Sequence, residues 1–118
     1  MKRIIVLLIV SGLNMLFAQH SATLSWTWAQ GTGDPATGFH VWRSTVAGQE
    51  QCPTCMPVAT VAPGTFTFID TAVVAGQTLF YTITAFNTAG DSTPSNEATA
   101  VIPFQTPAVP TGLTITTK

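Results

Sequence analysis

Cys52–Pro53–Thr54–Cys55 is the stretch of this chain whose residue types and spacing invite covalent or metal chemistry. Two thiolates make half of a tetrahedral zinc set, and the two histidines, His20 and His40, stand at no ligand-like spacing from them. A redox dithiol needs its first cysteine at the start of a helix, where the helix terminus lowers the thiol pKa. Met56–Pro57 follows directly and opposes a helix there. In an oxidising compartment the same pair closes a small loop as a disulfide. The disulfide Cys52–Cys55 is the expected state, with metal binding, redox catalysis and free thiols as alternatives. No cofactor and no metal site are expected.

Hydrolytic machinery is not expected either. Ser, His and Asp all occur, but no serine sits in a nucleophile elbow, and His40 falls on a strand beside Trp42. The carboxylates Asp34, Glu50, Asp70, Asp91 and Glu97 lie mainly in or next to loops. Asp70 and Asp91 read as turn residues rather than general acids or calcium ligands. No Gly-rich loop joins a strand to a helix to cradle phosphate. One candidate contact remains: Trp42 alternates away from Phe39 and Val41, and beside His40 and Arg43 it offers a surface to a sugar ring or a protein partner. The competing reading packs Trp42 under the long loop 45–64.

Composition limits what can position these residues. A length of 118 residues allows one domain, which excludes a doubly wound nucleotide-binding fold or an eight-stranded α/β barrel. Charged residues are 8% of the chain and hydrophobic ones 46%, with a net charge of −1, which excludes acidic disorder and a basic nucleic-acid surface. The first 18 residues form an address: Met1, Lys2 and Arg3 give a positive start, and an apolar run follows to the small residue Ala18. The run is too short for a membrane span and breaks at Gln19 and His20. Residues 1–18 are therefore expected to be a signal peptide, cut within a residue or two of Ala18. No membrane span is expected after its removal. The exported chain keeps Arg43 and Lys118 against five acids, a net charge of −3.

Beyond the address the apolar pattern has period two. In 22–29, Leu24, Trp26 and Trp28 share a face; in 39–43, Phe39 and Val41 do so; in 79–86, Leu79, Tyr81, Ile83 and Ala85 do so. Shorter strands are predicted over 65–69 and 96–102. Gly31, Gly33, Asp34, Pro35 and Gly38 mark a loop, Gly76 a turn, and Asn87, Gly90 and Asp91 another. Short strands at this spacing predict an all-β, two-layer antiparallel β-sandwich. Its core is expected from Leu24, Trp26, Trp28, Phe39, Val41, Phe68, Tyr81, Ile83 and Ala85.

These strands resemble a fibronectin type III domain over residues 20–102. Ala22–Thr23–Leu24–Ser25–Trp26 is similar to the family's second strand, and Phe39–His40–Val41–Trp42–Arg43 to its third. The segment 81–92 with Ser95 is similar to the sixth strand, its turn and the start of the seventh. The resemblance implies that Tyr81 packs in the core and ties down the preceding turn. It is nearly silent on function, since this fold hosts many. The family's first strand has no counterpart before Ala22, yet 107–117, Pro–Ala–Val–Pro–Thr–Gly–Leu–Thr–Ile–Thr–Thr, resembles it at the other end of the chain. The linker 103–109 spans at most about 25 Å, marginal for a return across its own domain. Three fates stay open for the Pro/Thr-rich tail 103–118: donation of Leu113 and Ile115 to a second copy, docking on its own domain, or a loose stub.

The expected function is a non-catalytic structural or adhesion module, secreted or in the cell envelope. Its expected partners are itself, head to tail, another envelope protein, or a glycan, and not nucleic acid. The alternative is a carbohydrate-binding or spacer module related to secreted multidomain enzymes.

Overall fold

A computed structural model describes residues 20–118; the segment read as a signal peptide lies outside them. Seven strands follow in order: β1 (Ala22–Ser25), β2 (Gly38–Ser44), β3 (Ala59–Val61), β4 (Thr67–Asp70), β5 (Thr78–Asn87), β6 (Gly90–Asp91) and β7 (Ala98–Val101). They form two antiparallel sheets, β1–β4 and β3–β2–β5, with β6 and β7 both pairing with β5. This is the expected all-β, two-layer architecture. β3 and β6 were not among the expected strands, because three and two residues are too few for a visible alternation.

β5 is the long central strand, and its edge is served in two pieces. β6 pairs with its Phe86–Asn87 end and β7 with Thr78–Tyr81. Pro94 interrupts the chain between them, and two serines fill the gap. Ala85 N–H donates to Ser92 Oγ (3.0 Å) and Ile83 N–H to Ser95 Oγ (2.9 Å), while Ser92 N–H and Ser95 N–H donate back to the Ala85 and Ile83 carbonyls. These four backbone donors thus stay paired where the ladder breaks.

Val41, Leu79, Tyr81 and Ile102 close the core with Ala22 and Val73. Ala22, Val73, Leu79 and Ile102 fall outside the expected set; Ala22 and Leu79 lie at the starts of their strands, and Val73 and Ile102 come from segments with too little pattern to reveal a face. Leu24, Trp26, Phe68 and Ile83 pack against this cluster only partly buried. Phe39 is fully buried, and Trp26, Trp28 and Phe66 stand around it with ring centroids 5.6–5.7 Å away. Trp28, expected in the core, keeps 37% of its surface exposed. The cause is local: β1 ends at Ser25, Trp26 N–H still bonds Phe66 O, and the chain then leaves the sheet, so Trp28 lies on the rim of that aromatic group. Ala85, also expected inside, is half-buried near the end of β5.

Candidate functional site

Cys52 and Cys55 are joined as a disulfide in the loop between β2 and β3, with Cα atoms 5.0 Å apart. Cys55 N–H donates to Cys52 O at 2.9 Å, so backbone and sulfur close the same tight turn. Among the described residues no group of three or more His, Cys, Asp or Glu side chains is placed to hold a metal ion.

The trio Trp42, His40 and Arg43 does not form one surface. His40 and Trp42 share the outer face of the larger sheet, while Arg43, one residue further, turns toward β4, as the two-residue period requires. There Arg43 Nη1 donates to Asp70 Oδ2 (2.6 Å), Tyr81 Oη donates to the same oxygen (2.8 Å), and Ala72 N–H donates to Asp70 Oδ1 (3.0 Å). Asp70 belongs to one sheet and Arg43 and Tyr81 to the other, so one carboxylate pins both layers and the turn after β4. Burial acts to raise the Asp70 carboxyl, but the Tyr81, Arg43 and Ala72 donors and the guanidinium charge outweigh it and hold it below the ordinary range. Burial first, then acceptance by the Asp70 carboxylate, pushes the Tyr81 phenol far above its usual value.

On the outer face Trp42 spends its indole N–H on Thr84 Oγ1 (2.9 Å). Thr84 Oγ1 donates to Asp91 Oδ2 (2.6 Å), and His40 Nδ1 lies 2.8 Å from that same oxygen. His40 also stacks on Phe86, with centroids 4.0 Å apart. Burial opposes ionisation of Asp91, and the contacts from His40 and Thr84 overcome it, leaving the carboxyl low. The indole is thus half-buried and tied into a polar chain running to β6.

Glu50 and Glu97, 47 positions apart, form a carboxylate pair that sequence spacing does not reveal. Gly48 N–H donates to Glu97 Oε2 (2.7 Å) and to Glu50 Oε2 (3.2 Å), which carries the loop after β2 across β5 to the start of β7. Glu50 is only 5% exposed. Its carboxyl is raised, by burial first and then by the hydrogen bond and like charge of Glu97, whereas hydrogen bonding from Glu50 lowers Glu97.

The remaining features concern surface rather than chemistry. A groove of about 600 Å³ runs between β1 and β7, lined by Leu24, Trp26, Ile83, Ala98 and Ala100 among others. Among the described residues no strand pairs with β1 on the side away from β4. The tail beyond Ile102 forms no strand, and Phe104, Val109, Leu113 and Ile115 are 80–92% exposed. The docking of this tail on its own domain, one of its three expected fates, does not occur in this structure. Only its root is fixed: Gly76 N–H donates to Ile102 O (2.7 Å), Ile102 N–H to Gln77 O (2.8 Å), and the Phe104 ring lies against Gly76.

Two antiparallel sheets with this order, tied by a tyrosine from the central strand, define a fibronectin type III-like β-sandwich. The fold is similar to the crystal structure of a Fn3-like protein from Clostridium thermocellum, with a TM-score of 0.53 and 26% sequence identity over 67% of this chain and 73% of that one. No family model matches the chain, and no curated protein matches it. The likeness is one of fold: an all-β, two-sheet antiparallel sandwich. No helix among the described residues is long and apolar enough to cross a membrane.

Proposed function

We propose that this protein is an exported structural or adhesion module, secreted or held in the cell envelope, that works as one unit of a head-to-tail array joined through its tail, residues 103–118. One observation carries the reading: Leu113 and Ile115, alternating as in a half-buried strand, are 92% and 82% exposed on a tail that touches its own domain only at its root. Burying two such side chains stabilises an association by roughly 1.5–3 kcal/mol each. A tail that serves one surface and an acceptor that lies elsewhere make a contact between unlike surfaces, which propagates instead of closing. A glycan-binding role draws less support, because Trp42 has its N–H committed to Thr84 and shows no open ring platform with Arg43. Sedimentation of the exported chain and its Leu113→Asp/Ile115→Asp variant over a concentration series tests the proposal. Concentration-dependent growth of the parent with a monomeric variant is expected; identical monomers would overturn it.

A further inference from the structure

The acceptor in such an array has to offer a strand edge and an apolar floor together, and the groove between β1 and β7 offers both. Trp26 N–H bonds Phe66 O in the register that continues Leu24↔Phe68 and Ala22↔Asp70. Antiparallel pairs alternate, so the even positions of β1 spend their backbone groups on β4, and the N–H and C=O of Thr23 and Ser25 point to the open side. An unprotected edge of this kind is a template for another strand. Beside it, Leu24, Trp26, Ile83 and Ala100 pack on the core yet remain partly uncovered toward the groove. Trp26 also keeps its indole N–H buried without an acceptor among the described residues.

Resting on the reading of the tail as an assembly segment, we infer that the β1/β7 groove is the acceptor site and that it takes residues 111–117 from a second copy of this chain as an added β-strand. The donor suits it in three ways. Leu113 and Ile115 share one face and Thr114 and Thr116 the other, so the apolar pair meets the groove floor while the threonines meet water. Pro110, which has no N–H to give to a ladder, comes just before the paired residues. Extended from Gly112 to Thr117, the tail covers about 17 Å with the same number of residues as Ala22–Thr27 along the groove. A second copy is the occupant because the tail leaves its own domain at Gly76 and every residue after Ile102 is exposed, with no turn back toward its own groove.

The test separates donor from acceptor in the full exported chain. Thr23→Pro removes an N–H that the β1–β4 ladder does not use, and Ala98→Glu places a charge on the exposed groove wall; either is an acceptor-blocked protein with an intact tail. Leu113→Asp/Ile115→Asp is a donor-blocked protein with an intact groove. Far-UV circular dichroism selects whichever acceptor variant keeps the parent fold. Each blocked protein alone should run as a monomer, and an equimolar mixture should stop at a one-to-one dimer, since only one productive junction is left. If the donor-blocked chain is monomeric while both acceptor variants assemble like the parent, the tail reading stands and the groove is not its acceptor. If the parent itself stays monomeric, or all variants assemble equally, both fall.

Discussion

Asp70 receives three donors from three segments, and its removal is therefore not a one-bond change. Asp70→Ala leaves the Tyr81 hydroxyl unpaired in the core and the Arg43 guanidinium without its partner. A broken buried pair costs about 3–5 kcal/mol; the guanidinium side chain retains 25% exposure, which favours the lower end. Tyr81→Phe keeps the packing and loses one charge-assisted bond, so about 1.5–3 kcal/mol is expected. Chemical denaturation of the two variants checks the order. The pH dependence follows from the same groups. The lowered carboxyls of Asp70 and Asp91 contribute stability above about pH 4, where they are ionised in the unfolded chain too, and that contribution is lost as pH falls through their folded values. Tyr81 acts with the opposite sign: its contribution is full below about pH 10 and is lost as pH rises further. Glu50, raised by burial and by Glu97, also favours the fold when protonated, so Glu50→Gln should raise the melting temperature at neutral pH and lose that advantage near pH 4. A melting series on both chains from pH 3 to 11 reads all three effects.

At the scale of elements, what was legible in the sequence was whatever the two-residue period exposes. β2 and β5 are long enough to show their faces, and Tyr81 sits where the family resemblance put it, holding the turn after β4 through Asp70. The short strands β3 and β6 and the serine-mended gap before β7 were illegible, because they depend on partners rather than on their own pattern. Arg43 parts from Trp42 because neighbours in sequence lie on opposite faces of a strand. The Cys52–Cys55 loop is a local element and should behave as one: replacing both with Ser removes a constraint on a very short loop, on the order of 1–2 kcal/mol, or roughly 5–15 °C in melting temperature. Complete unfolding of that variant would contradict a local role. Gly76 has a different task. Its φ of +85° favours glycine, and a Cβ there would run into the Phe104 ring. Gly76→Ala should cost about 1–2 kcal/mol from backbone conformation and displace the root of the tail, a change visible in the near-UV signal of Phe104.

For the whole molecule, the proposed assembly runs from the tail of one copy to the β1 edge of the next. The domain closes its core at Ile102, and everything after it, apart from the Phe104 contact, faces solvent. An apolar strand junction with backbone hydrogen bonds should be little affected by salt between 0.05 and 0.5 M on the order-of-magnitude argument that screening acts on charges, and Lys118 is the tail's single charge. The direct measurement is the mass of the exported chain by light scattering over a concentration series, beside a chain ending at Ile102 with the same melting temperature. Mass that climbs with concentration for the full chain and stays at one subunit for the shorter one is the expected result. Equal, monomeric masses at every concentration would contradict assembly through the tail.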